Sequence, residues 1–383
     1  TYLDSAFKIF GAQQDTLSKT NGSEILKYLL DAVDKFSNSG LGKKLGLDYL
    51  ISELQILAMQ VDNSEAAAKV DFFQGKMFME SEDRFYESLK FHKLAQSRLE
   101  KAGSDNQKLI SDNIARKFLC ERQLDLVDNA KQSLSLFEEV SAPTVLNQAK
   151  VLTYKGYLKL YYDLKECNKY WMDAFNLVKN EGITDRIIHY GIGTAYSSLL
   201  LNDLETCGKQ LIEVESNMDK TQKVSNQVRF MLNKANYCLL TNSPTESLRT
   251  ISEGERLALQ FGVFRRLWRV EATRATCEEY LGNKDTCYDY DTRAIRNLAS
   301  RIYAERHQGL NAPWLKQRHV LPVMNMMLRG HKDLLSFIPE DQFKFIDSMV
   351  NMVERGNLKS LPNQLGYHIK NIGDNQFRAI LTE

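Results

Sequence analysis

One recurrence constrains this chain more than any other feature: a small residue returns about every forty positions inside an apolar helical run. Gly75, Ala115, Gly156, Ala195, Ala235 and Ala275 are separated by 40, 41, 39, 40 and 40 positions. Repetition at that spacing marks units that cannot bury an apolar face alone and must stack on their neighbours. Seven residues after the last four stand Asp163, Asn202, Asn242 and Gly282, types that favour a turn or a helix end. A second run follows each time, with apolar residues at three- and four-residue spacing, as in LKECNKYWMDAFNLVKN. These runs end near Gly103, Pro143, Gly182, Thr221 and Gly262, where the chain must reverse. Each unit therefore reads helix, turn, helix, turn.

Composition agrees with that reading. Only 6 prolines and 20 glycines are spread over 383 residues, and few segments alternate β-branched and polar residues as strands do. The expected class is all-α. The N-terminus TYLDSAFKIF lacks the basic, apolar and small-residue order of a signal peptide, and no apolar run reaches the length of a membrane span. A cytoplasmic or nuclear protein with no membrane partner is expected. The start without Met, in mid-pattern, is compatible with a piece of a longer chain.

The stretch HYGIGTAYSSLLLND, 189–203, carries a Gly-x-Gly that could open a phosphate-binding turn. Such a turn needs further glycines and a Lys with Ser or Thr between a strand and a helix, and none follows Gly193. Gly191, Gly193 and Ala195 belong instead inside a helix, where small side chains admit a neighbour.

Other chemistry is absent from the pattern. The six histidines are scattered with no H-E-x-x-H, there is no G-x-S-x-G, and the acid pairs Glu138-Glu139 and Glu278-Glu279 are adjacent on a helix and share no face. The expectation is a protein that is not an enzyme and holds no cofactor or metal. Cys120, Cys167, Cys207, Cys238, Cys277 and Cys287 form no C-x-x-C and have no His close in sequence, so free structural thiols are expected. Cys167, Cys207, Ser247 and Cys287 occupy equivalent positions in successive units. Asn21-Gly22-Ser23 matches a glycosylation acceptor that matters only in a secreted protein.

The net charge is +1, yet ten of the twenty arginines lie between Arg265 and Arg329. Such a cluster makes either an electropositive surface or a set of helix faces paired with Glu271, Asp289, Asp291 and Glu305. With a pI near 7.5, direct contact with nucleic acid is not expected.

The small residue in the first helix, the polar turn and the second amphipathic helix resemble the tetratricopeptide-repeat superfamily, over about residues 66–305. The signature Trp, Tyr and Pro positions are mostly absent. The resemblance implies a right-handed α-solenoid of TPR-like helical hairpins with a period of about 40, six of them at 66–305. Residues 1–65 would form an N-terminal helical cap or degenerate repeat, with Ser23 capping SEILKYLLDAVDKFS, and residues 306–383 an irregular helical cap. The C-terminal part also looks faintly like the helices that lead into the winged helix of PCI-domain subunits, although winged-helix strands are not evident after GNLKSL.

The same resemblance places a binding groove on first-helix positions around the small residue. Six positions before it stand Lys69, Leu109, Lys150, His189, Arg229 and Arg269; one position after it stand Lys76, Arg116, Tyr157, Tyr196, Asn236 and Thr276. This implies a ladder of cationic, hydrogen-bonding and aromatic groups suited to an acidic peptide or partner. Two functions use such a face: a protein-interaction scaffold, and an effector-sensing module of a larger regulator.

Overall fold

A computed structural model describes residues 26, 28–33, 47–60, 63–81, 84–124, 126–160, 162–221, 223–263, 266–338, 340–357, 367–373 and 376–381, except 308–312. Ser23 and its cap, the Asn21-Gly22-Ser23 triplet, Arg265 and most of the expected N-terminal cap lie outside the described residues. The chain divides into two compact units, 1–142 and 143–383. The division falls at the turn expected around Pro143.

The first unit contains α1 (Leu47–Gln60), α2 (Ser64–Ser81), α3 (Phe85–Ala102), α4 (Gln107–Gln123) and α5 (Val127–Val140). The second contains α6 (Val145–Lys159), α7 (Leu164–Asn180), α8 (Thr184–Leu201), α9 (Leu204–Glu215), α10 (Val224–Leu240), α11 (Pro244–Phe261), α12 (Leu267–Tyr280), α13 (Lys284–His307), α14 (Pro313–Leu328) and α15 (Glu340–Glu354). Within each unit successive helices pack in pairs and each pair packs on the next. This is a helical-repeat architecture, almost entirely α.

The residues that end helices do so for local reasons. Asn202 and Asn242 adopt φ of 62° and 59°, and Gly103, Gly182, Gly262 and Gly282 are also left-handed, the conformation that releases a chain from a helix. Asp163 and Asp203 cap the next helices, their carboxylates accepting from the backbone N–H of Glu166 and Thr206 at 3.0 Å.

The recurrent small residues are all buried. A Cβ on Gly75 would stand 2.8 Å from His92 Nε2, one on Gly156 would run into the Trp171 indole, and one on Gly191 would come within 2.5 Å of Val214. Gly193 is different: a Cβ there meets Trp171 at an ordinary 3.5 Å. Its smallness is not needed for the packing that Gly191 requires. Buried polar ties reinforce the pairs. Ser247 Oγ donates to Ala235 O at 2.8 Å, Trp171 Nε1 to Thr153 O at 3.1 Å, and Asn233 Nδ2 to Ile192 O at 2.8 Å. Each satisfies a group whose burial without a partner would cost about 1–3 kcal/mol.

All six cysteines are buried free thiols. Burial pushes Cys120, Cys207 and Cys277 up to about 12, so they pack as small apolar groups.

The C-terminal part departs from an all-helical cap. β1 (Ile369–Asn371) and β2 (Phe377–Ala379) form an antiparallel hairpin with Ile369 opposite Ala379 and Asn371 opposite Phe377. Its physical cause lies in the sequence: HIKNI and QFRAI alternate, and between them stand Gly, Asp and Asn, residue types that favour turns. The signal is two three-residue strands, too short to stand out in a helical chain.

Candidate functional site

The ten residues expected to form a binding ladder fall in both units, three in the first and seven in the second. In the first, Lys69 on α2 pairs with Asp31 at 3.1 Å, Lys76 is buried, and Arg116 is half-buried on α4. In the second, Lys150 and Tyr157 are half-buried on α6, and Tyr157 stacks edge-on against Trp171 at 5.3 Å. His189 and Tyr196 stand on α8, Arg229 and Asn236 on α10, and Arg269 on α12.

Several of these are not open to solvent. Arg229 is 6% exposed, Asn236 2%, Tyr196 2% and Arg269 2%. Asn236 Nδ2 donates to Leu232 O within its own helix. Arg229 Nη1 lies 3.4 Å from His189 Nδ1. Burial and then the Arg229 guanidinium hold the His189 imidazole well below its usual range, so it is neutral and accepts from Arg229. Arg269 lies over the Trp268 ring at 4.5 Å.

The C-terminal hairpin lies against the same first helices. Tyr367 packs on the cluster of Leu160, Trp171, Tyr196 and Leu200. His368 Nε2 is 3.4 Å from Tyr196 Oη, and its Nδ1 is 3.0 Å from Ile380 O. Burial lowers His368 to about 4, with Lys370 and Arg269 adding in the same direction. Lys370 Nζ donates to Leu200 O at 2.7 Å in the last turn of α8, and Arg378 donates to both carboxylate oxygens of Glu279 near the end of α12, Nε at 2.7 Å. Orphan carbonyls and the negative end of the helix dipole favour a cation there. Sequence reading missed this contact, which joins positions 170 apart.

The arginine cluster is mostly engaged. Arg274 donates to Glu255 and lies 3.8 Å from Glu278; Arg293 is also 3.8 Å from Glu255; Arg296 lies over the Phe337 ring at 5.1 Å. Arg329 holds both oxygens of Asp291 and reaches Thr276 Oγ1 at 3.1 Å. Glu271 accepts from Asn297 Nδ2 at 2.7 Å, and burial pushes it up to about 7 although the nearby Arg293 charge acts against that.

His331 lies beside Cys287 in space, which their 44 positions of separation hid. Cys287 Sγ, an Asp291 oxygen and a His331 nitrogen lie within 4.8 Å of one another, so these three residues could supply metal ligands. Asp291, however, already accepts from Arg329 on both oxygens and lies 2.8 Å from His331 Nδ1. A cation would have to share that carboxylate beside a guanidinium, an arrangement that like charge opposes.

No protein-family model matches this chain, and no curated protein matches it. The architecture and these contacts carry the functional argument. No helix among the described residues is long and apolar enough to cross a membrane.

Proposed function

We propose that this chain is a TPR-like protein-interaction scaffold, and that in the second unit the first helices of successive pairs, α6, α8, α10 and α12, carry its binding wall. The observation that supports this reading is that the two strands of the chain's own hairpin, within 367–373 and 376–381, lie on residues of α8 and α12. A wall that accepts one extended segment has the chemistry to accept another: helix-end carbonyls, a carboxylate, and the aromatic rings of Tyr157 and Tyr196. Lys150, Arg229 and Arg269 make the N-terminal halves of α6, α10 and α12 cationic, suited to an acidic partner. In this reading the protein is not an enzyme, works without a cofactor and does not contact nucleic acid.

The test uses ladder members that solvent reaches. Lys150→Glu with Tyr157→Ala, in the full chain, is expected to lower partner recovery at least about tenfold, equivalent to about 1.4 kcal/mol, with the melting temperature retained. Proteins retained by wild type and variant are compared by quantitative mass spectrometry. Equal recovery removes the wall. Charge reversal of Arg229 or Arg269 is unsuitable because burying a carboxylate there would damage the fold.

A second reading, the helical-repeat part of a PCI-type complex subunit, gains one observation: an antiparallel hairpin follows the α14 and α15 helices. Its return onto α8 and α12 favours the first reading.

A further inference from the structure

The hairpin is held from two sides by different chemistry. On one side, Ile369, Ala379 and Leu381 join the apolar cluster of Val320, Val323 and Met324 on α14. There Asn325, fully buried, accepts from Ala379 N–H at 2.6 Å and donates to Ala379 O at 3.2 Å. The register explains the pairing. Ile380 N–H donates to His368 O and Ile372 N–H to Gln376 O, so Ala379 sits at the alternate position and points both backbone groups away from β1. The Asn325 amide completes β2 as a neighbouring strand would.

On the other side the contacts are polar and cationic: Lys370 on the α8 carboxyl end, Arg378 on Glu279, and His368 beside Tyr196. Among the described residues no carboxylate pairs with Lys370, and burial alone lowers it to about 8. Holding that charge out of water weakens the docking that its hydrogen bond supports. Three-residue strands in a two-stranded hairpin contribute little stability of their own. The hairpin is thus anchored mainly by its apolar face on α14, and its hold on α8 and α12 rests on a few polar contacts.

We propose that the carboxyl-terminal halves of α8 and α12 form a receiving site for an extended peptide segment bearing arginine and lysine, and that hairpin 367–381 is its exchangeable occupant in the free chain. This rests on the reading of these helices as a binding wall and adds the chemistry of the ligand. An arriving arginine takes both oxygens of Glu279, and an arriving lysine takes Leu200 O. The amino-terminal half of α12, with Arg269, selects the opposite charge. A partner strand with basic residues at one edge and acidic residues at the other matches both halves, whereas a uniformly acidic peptide leaves Glu279 opposed by like charge.

The experiment uses the full chain and a fluorescent synthetic peptide of residues 366–381. Lys370→Gln with Arg378→Gln loosens the hairpin and leaves the wall unchanged. The expected result is peptide binding by this variant at least tenfold tighter than by wild type in fluorescence anisotropy, lost again when Glu279→Gln is added. A peptide carrying glutamine at both basic positions is expected not to bind. Hydrogen exchange of the wild-type chain supplies a measurement that needs no variant: amides of 367–381 are expected to exchange by local opening, at least tenfold faster than the slowest amides of α8 and α12. Hairpin amides exchanging only with those slowest amides would overturn the proposal, as would binding indifferent to Glu279→Gln or absent from a folded loosened variant. Loss of peptide exchange with capture still sensitive to Lys150 and Tyr157 discards this inference alone. Peptide exchange intact with capture insensitive to those residues discards the wider partner wall instead.

Discussion

Two joints between paired helices in the second unit differ in design. Where α7 packs on α6, Gly156 faces the Trp171 indole, four residues after Cys167. Where α11 packs on α10, Ala235 is buried with Ile251, four residues after Ser247, in one apolar cluster. At these two joints the glycine faces a large ring and the alanine is buried with an aliphatic side chain, while at a third Ala275 is buried with Cys287 and Tyr290. The first unit repeats the ring design, with Gly75 against His92, four residues after Ser88. At the ring joints the small residue is thus one half of a matched volume, and the difference teaches that the size tolerated there is set by the facing side chain.

That pairing can be broken in graded steps. Trp171→Ala empties the ring joint and removes the bond to Thr153 O, so the expected loss is largest, about 3–5 kcal/mol; urea unfolding measures it. Gly156→Ala places a methyl inside the indole and is expected to cost about 1–3 kcal/mol. In a double-mutant cycle Trp171→Leu should recover much of that loss, and simple additivity would show that the two residues are not matched.

The His92 joint responds to acid. Asn113 Nδ2 donates to His92 O while its Oδ1 lies 2.8 Å from His92 Nδ1, which must therefore carry the proton and leave Nε2 bare against Gly75. Burial lowers His92 to about 3. An imidazole that binds its proton only when unfolded removes stability as pH falls from about 6.5 toward 3, by at most about 1.4 kcal/mol per pH unit. The buried Asp71, raised to about 6, acts oppositely as pH falls through 6 toward 4. The informative quantity is the difference between wild type and His92→Leu, whose acid loss between pH 6.5 and 4.5 should be shallower. Smallest of all, Ala235→Gly at the aliphatic joint is expected to cost about 0.5–1 kcal/mol; a larger loss would mean that this alanine does more than fill space.

The small residues of these joints were legible because their recurrence is local, whereas the rings that face Gly75 and Gly156 were not read from the pattern. The turn residues Asn202 and Asn242 were legible for the same reason. The candidate wall was readable only as positions. Spacing identified Tyr196, but it is packed against Tyr367 and His368, which return from far along the sequence, and no local pattern in α8 announces it. The hairpin itself was lost among helices because its strands are only three residues long. His331 beside Cys287 was hidden by separation, since metal or charge clusters assembled from distant segments leave no spacing signature.

The Lys370 bond to Leu200 also has a meaning in time. The 170 residues between them take roughly 9 to 34 s to synthesise at typical elongation rates. During that interval the carboxyl end of α8 lacks its own occupant, and the face is complete once Glu279 on α12 has followed. A nascent chain thus displays the receiving face before it can supply its own occupant, and any segment engaged during translation meets no competitor in cis.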